Sequence, residues 1–405
     1  MGSGGTLRYR EVLRAPTAWR IWAAATVSYL GDFVGLGALL LAGYDRSGGH
    51  PLGSAAVFGI QAVPAFAVSA GIGPWLDRIP RRVGLVTLSI AGAAAVSLPI
   101  VASGLWAVFA AAGLIGGIRT AFQSVRTGAI ADGVPRDIRG RLVAMVTVSN
   151  QVSEVLGYLL GSALAIAVGT GPALGADAAS FVVAALLLAG LRMPGRSRAR
   201  ARATMTTGIR TIFSDRTLSA LVPVAWIGLS LGAVPQTLAT TLSRTDRGWV
   251  PAALAAMAAG QAIAATVTGR TRLSERVLGE FWYISLCGIA FLATGLGVRA
   301  DPVAAVAGNF AIGLGFGWVV AAQTTFIHVI PAERMAHVTS TMIGSLIVLE
   351  GVGAVAFGAV AGAFGAAAAY LLAGAMLTGA ALSAIGYGRA HPQVLDISRV
   401  HLQEP

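Results

Sequence analysis

Between Pro51 and Leu76 the chain has no Asp, Glu, Lys or Arg, and between Val83 and Ile118 it again has none. A helix that crosses a bilayer needs ~20 consecutive apolar residues. In hydrocarbon every backbone polar group must be satisfied within the protein, which makes runs of this kind α-helical. Similar stretches occupy Ile21–Gly43, Leu142–Leu191, Thr217–Ser243, Gly248–Gly269, Phe281–Val298, Pro302–Pro331 and Met335–Gly388. Val83–Ile118 holds a third span and most of a fourth, which continues toward Ala131. Leu142–Leu191 divides at Gly169-Thr170-Gly171-Pro172, and Met335–Gly388 at a Gly/Ala turn near Ala363–Gly365. The pattern predicts an all-α membrane protein with twelve transmembrane helices. A chain that is 56% hydrophobic and 11% charged lacks the polar surface of a soluble domain. Its 53 glycines suit helices packed closely in lipid.

The net charge of +12 raises the question of nucleic-acid binding, and the placement of the charges answers it. All 29 basic residues are arginines, and all but Arg46, Arg119, Arg126, Arg244, Arg247 and Arg299 fall in segments on one side of the predicted membrane. By the positive-inside rule that side is cytoplasmic, and it holds both termini. The expected location is a bacterial cytoplasmic membrane, with the lipid bilayer and not nucleic acid as the partner. The first apolar segment lacks an A-x-A cleavage pattern and reads as a retained helix. A lone Cys287 rules out an intramolecular disulfide.

An Arg-rich polar stretch at Met193–Thr207 divides the chain. The expected organisation is an N-terminal six-helix bundle over 1–191, a cytoplasmic linker over 192–215, a C-terminal six-helix bundle over 216–389 and a tail over 390–405. The two bundles read as pseudo-symmetric. Val134-Pro135-Arg136-Asp137 aligns with Ile330-Pro331-Ala332-Glu333, and the same offset pairs Glu154 with Glu350, Gly157 with Gly353 and Gly73 with Gly269. Repeats of this kind mark transporters whose substrate site lies near the midplane.

Between the second and third spans stands Gly73-Pro74-Trp75-Leu76-Asp77-Arg78-Ile79-Pro80-Arg81-Arg82. A short cytoplasmic turn of this composition offers an acid to cap a helix and arginines to pair with acids on neighbouring helices. The segment resembles the G-x-x-x-D-R-x-G-R-R loop of the major facilitator superfamily, with Pro80 in place of the second Gly. Ser28-Tyr29-Leu30-Gly31-Asp32, Ala121-Phe122 through Arg126, Asp132-Gly133-Val134-Pro135 and Asp177-Ala178-Ala179-Ser180-Phe181 are similar to the enterobactin-exporter and macrolide-efflux branch. The resemblance covers most of the N-terminal half and is weaker in the second. It implies the major facilitator fold and proton-driven export of drugs or siderophores. It also implies a cytoplasmic gating loop of Gly73, Asp77, Arg78, Arg81 and Arg82, with Arg81 paired to Asp132 at the end of the fourth span. Gly157 and Gly161 occupy the place of the exporters' helix-five motif, but Tyr158 stands where those exporters carry Pro.

Ionisable groups inside a bilayer cost on the order of 2.5–3.5 kcal/mol each and mark functional sites or buried pairs. Asp32, Arg119, Glu154 and Glu350 lie about 13 residues from the cytoplasmic ends of their spans, roughly 20 Å deep and past the membrane centre. The expected core of the mechanism is an Asp32–Arg119 pair that a proton breaks, with a purely structural ion pair as the alternative. Glu154 and Glu350, being repeat-related, read either as a proton or cation site or as a shared structural part. Arg126 reads as part of the loop network and Asp177 as structural, because the sixth span packs outside the cavity in the resembled family. Gln61, Gln123, Trp226, Gln261, Asn309 and Gln323 are further candidates to line a pocket, while His328 and His337 read as ordinary interfacial residues.

The five histidines show no metal-ligand spacing and there is no P-loop, so neither an enzyme nor an ATP-driven pump is expected, and no cofactor. The expected partners are a small-molecule substrate and protons, and the expected state is a monomer. Import of a metabolite and a transport-deficient sensor remain as alternatives.

Overall fold

The computed structural model describes residues 10–69, 79–191, 205–214, 216–268, 277–298, 301–319 and 332–390. Among the described residues the regular elements are all helical. In chain order they are α1 (Arg10–Arg14), α2 (Pro16–Arg46), α3 (Pro51–Ala67), α4 (Arg81–Val101), α5 (Leu105–Gly133), α6 (Arg136–Val168), α7 (Thr170–Ala189) and α8 (Met205–Ser214). There follow α9 (Arg216–Ser230), α10 (Val234–Ala239), α11 (Val250–Thr268), α12 (Val277–Gly297), α13 (Pro302–Gly315), α14 (Ala332–Phe364) and α15 (Ala366–Ala390). Among these residues nine helical stretches are long and apolar enough to cross a membrane. Three shorter apolar helices, Pro51–Ala67, Phe281–Gly297 and Pro302–Gly315, complete the twelve spans.

The breaks between helices follow from residue chemistry. Gly169 has φ 96° and separates α6 from α7, and Gly365 has φ 88° and separates α14 from α15. A side chain is strongly disfavoured in that left-handed region. The two glycines stand at the offset that relates Glu154 to Glu350, so the repeat extends to the turns.

Two compact units form, one of Met1–Ala42 with Val63–Arg200, the other of Gly43–Ala62 with Ala201–Pro405. In the first, α4 packs on α5 and α7 around Leu85, Val125, Leu142 and Leu188. Its α2 lies directly on α6. A methyl on Gly157 would meet Phe33 Cβ and Leu30 O, and one on Gly161 would overlap the backbone of Val34. In the second unit α12 packs on α15 and α11 on α13, with Phe281, Phe291, Trp318 and Tyr370 buried in the core. Gly353, the repeat partner of Gly157, lies against the carbonyl of Ser230 at the end of α9. Small residues thus let backbones meet in both units, as lipid-embedded helices require.

The sequence reading and the structure differ in three places. The segment 43–62 packs with the second unit, where Asp45 pairs with Arg247 at 2.6 Å. Tyr44 Oη accepts from Arg244 at 3.0 Å, and the hydroxyls of Ser54 and Thr240 lie 3.0 Å apart. Met205–Ser214, inside the stretch read as linker, is helical, because its Ile212 is buried in the second unit's core. The seventh span is broken at Leu231–Ala233, between α9 and α10, and the Glu350 carboxylate lies 3.3 Å from where a methyl on Gly232 would stand.

The glycine contacts are testable. Gly161→Ala should cost about 1–3 kcal/mol by overpacking, read as a lower unfolding temperature of the purified protein in detergent. Gly379→Ala, whose methyl meets nothing within 4 Å, should leave that temperature unchanged.

Candidate functional site

The site in the first unit begins with the spacing of α5. Arg119 and Arg126 are two helical turns apart, so both present to one face, and α2 supplies Tyr29, Asp32 and Phe33 opposite them. Arg119 Nε lies 3.5 Å from Asp32 Oδ2. The Asp32 side chain is 5% exposed and that of Arg119 31%. The Arg119 guanidinium also lies over the Phe33 ring, 5.7 Å from its centroid. Phe33 packs in turn on Tyr158 with ring centroids 5.4 Å apart. The buried Tyr158 thus fills, from α6, the position where the resembled exporters carry Pro, and supports the ring beneath Arg119.

The pair is not saturated. A charge-assisted N–H···O bond is ordinarily ~2.7–2.9 Å, so 3.5 Å is an ionic contact rather than a tight hydrogen bond. The other oxygen, Asp32 Oδ1, is buried with no hydrogen-bond partner among the described residues. A buried carboxylate with one loose contact and one bare oxygen is suited to taking up a proton or a donor group.

Two further charges lie here that the sequence reading placed elsewhere. Arg126 is buried, and its guanidinium sits 5.1 Å from the centroid of Tyr29. Seven residues beyond Arg119 on α5 and seated over the Tyr29 ring of α2, it belongs with the intramembrane cluster. Asp177 on α7 is also buried. Its carboxylate occupies the space that a side chain at Gly35 would take, while the Ser180 hydroxyl fills that at Gly31, with Asp177 Oδ1 beside it. The Ser180 hydroxyl donates to the Asp177 carbonyl at 2.8 Å and lies 3.4 Å from its Oδ1. The signal in the sequence was the pair of glycines one turn apart around Asp32, which opens a slot on the helix.

Of the other candidates, Glu154 is half-buried on α6 of the first unit, and Glu350 is half-buried on α14 of the second. Arg81 Nε donates to Asp132 Oδ2 at 3.2 Å, and the Arg81 guanidinium lies against Gly128, where a side chain would displace it. Arg82 is exposed. Gly73, Asp77 and Arg78 lie outside the described residues, as do Gln323 and His328. Asn309 is no pocket residue. It is fully buried, donates to Ala253 O at 3.0 Å and accepts from Tyr370 Oη at 2.8 Å. Gln123 is exposed.

Among the described residues twelve apolar helices, three of them short, define a multi-pass membrane protein. Residues 21–347 match the Major Facilitator Superfamily, and the chain belongs to that superfamily. Among solved structures it is similar to the nucleoside transporter NupG, at 13% identity and a TM-score of 0.68, covering 92% of this chain and 98% of that one. It is similar to a bacterial homologue of the human lysosomal transporter Spinster at 15% identity and a TM-score of 0.67, with 96% and 97% covered. A sulfate complex of the peptide transporter POT matches at 12% identity and a TM-score of 0.69, with 98% and 97% covered. At these identities the likeness is one of fold. No curated protein matches the sequence.

The charge pair makes its own prediction. Arg119→Met leaves Asp32 uncompensated and should destabilise the protein by about 3–5 kcal/mol. Adding Asp32→Asn should recover most of that loss in thermal unfolding, because the double variant holds neither charge.

Proposed function

We propose that the chain is a proton-coupled secondary active transporter that exports small amphipathic organic compounds, such as drugs, antibiotics or siderophores, by alternating access. The observation that carries this reading is the buried Asp32–Arg119 contact, in which one carboxylate oxygen is unpartnered among the described residues. Protonating Asp32 removes its charge and releases Arg119, so proton binding and the state of the cation are tied together. The Tyr29, Phe33 and Tyr158 rings beside these charges suit an aromatic or amphipathic substrate.

The direction of transport rests on the resemblance of the N-terminal half to exporters. Import of a small metabolite is the second reading, favoured by Tyr158 in the position of the exporters' Pro. The Arg81–Asp132 pair supports a latch at the cytoplasmic ends of α4 and α5 that opens and closes during the cycle. The distribution of arginines supports a cytoplasmic-membrane location with both termini inside.

A drug-susceptibility and dye-efflux panel on cells with and without the gene tests this reading. Cells expressing the chain should exclude ethidium or a related cationic dye, and a proton uncoupler should abolish the exclusion. Asp32→Asn, expressed to the same level, should return dye accumulation to that of cells lacking the gene. Undiminished uncoupler-sensitive efflux by Asp32→Asn would refute the coupling role.

A further inference from the structure

The tip of the α2–α3 hairpin, Gly43–Ala62, groups with the second unit, although the chain on either side of it belongs to the first. The change of partner falls inside α3. A methyl on Gly351 of α14 would meet Ala62 Cβ, whereas one on Gly117 of α5 would meet Pro64 Cβ, two residues further along. One helix is therefore held by both units. The tip is stiff, because Gly43 and Gly53 bring the end of α2 and the start of α3 into backbone contact. Arg244 and Arg247 lie on the side opposite the arginine-rich one, and both engage the tip. Arg247 pairs with Asp45 at 2.6 Å, and Arg244 donates to Tyr44 Oη at 3.0 Å and to Gly49 O at 2.8 Å. Ser54, fully buried, has its hydroxyl 3.2 Å from Thr237 O and 3.0 Å from that of Thr240. Along α14 the seam is one of small residues: methyls on Gly59 and Gly358 would meet Val355 and Ala55.

We propose that Gly43–Ala62 is an outer clasp, closed in this structure, that releases the second unit and grips it again in each transport cycle. Helices fastened to both units cannot follow a rearrangement of those units unless one set of contacts gives way. The set in the first unit is backbone packing, with Gly157 and Gly161 against α2 and Gly117 against Pro64. The set in the second unit is built to part. Its ion pair has side chains 46% and 40% exposed, and an exposed pair contributes little that water does not replace. The seam along α14 places small residues on both helices, so the backbones fit closely and separate without disengaging large side chains. The Arg81–Asp132 pair joins α4 to α5 at their cytoplasmic ends, so the clasp supplies a second latch on the opposite side. This inference rests on the alternating-access reading.

A thiol placed beneath the clasp reads it without any substrate. Ser54→Cys in intact cells is treated with a membrane-impermeant maleimide added outside. Cys287 is buried, so the chain without Ser54→Cys gives the background. Asp45→Asn and Arg247→Gln should each speed the reaction about two- to fivefold, the scale of one exposed ion pair. The two together should be no faster than either alone, because they remove one contact. Arg244→Gln, which removes the bonds to Tyr44 and Gly49, should speed it further when added to either. Rates that none of these variants changes overturn the proposal. A second measurement fastens the clasp. The Ser54 and Thr240 hydroxyls lie 3.0 Å apart, so Ser54→Cys with Thr240→Cys should bridge on mild oxidation. Dye exclusion should then stop and return on reduction, while each single variant is indifferent to the oxidant. Uncoupler-sensitive exclusion that persists in the bridged protein overturns the proposal, because the tip then never leaves the second unit. Failure of the export reading looks different. Cells that exclude no dye even before oxidation refute export, and the alkylation rates still decide for or against the clasp.

Discussion

A carboxylate inside the hydrocarbon layer needs a compensating charge or a proton, and in the first unit Asp32 has Arg119 at 3.5 Å. Around that contact the neighbouring residues acquire their purpose. Phe33 and Tyr158 form the aromatic floor under the guanidinium, and the α5 spacing brings Arg126 to the same face over Tyr29. The contact is long and leaves one oxygen bare among the described residues. A pair built for stability alone would have both oxygens satisfied, since an unfilled buried acceptor costs about 1–3 kcal/mol. The proton-coupling role proposed for Asp32 draws on this unfilled acceptor.

Glycine makes that cluster possible. Gly157 and Gly161 bring α6 against the backbone of α2 near Leu30, Phe33 and Val34, while Gly31 and Gly35 admit Ser180 and Asp177 from α7. The charged residues are therefore held by backbone-to-backbone packing, with little slack. The second unit uses the same device, Gly353 against Ser230, but spends it differently. There the span corresponding to α2 is broken at Leu231–Ala233, with Glu350 beside the break. The repeat has kept its scaffold of glycines and turns, and its chemistry has diverged.

The twelve spans were legible in the sequence because they follow from long apolar runs and Gly/Pro breaks, both local properties, whereas the break in the seventh and the helix at Met205–Ser214 were not. The ion pairs Asp32–Arg119 and Arg81–Asp132 were suggested by depth and by the resembled loop. What depth alone could not give was direction around each helix. Helices apolar on all sides carry no orienting signal, so Asp177 and Arg126 could not be assigned to a face. Asn309 looked like a pocket residue for the same reason, although Ala253 and Tyr370 satisfy it. The placement of 43–62 with the second unit depends on pairs far apart in sequence, such as Asp45 with Arg247, which no local pattern announces.

The central claim is that charge movement at Asp32 ties proton flow to substrate flow. Its most direct test is a simultaneous record of luminal pH and substrate in proteoliposomes of the purified chain, using a compound that expressing cells exclude. Coupled exchange predicts that adding the compound to wild-type vesicles dissipates a preset pH gradient in step with its movement, and that Asp32→Asn vesicles show neither. Substrate crossing wild-type vesicles while the luminal pH stays flat would contradict it.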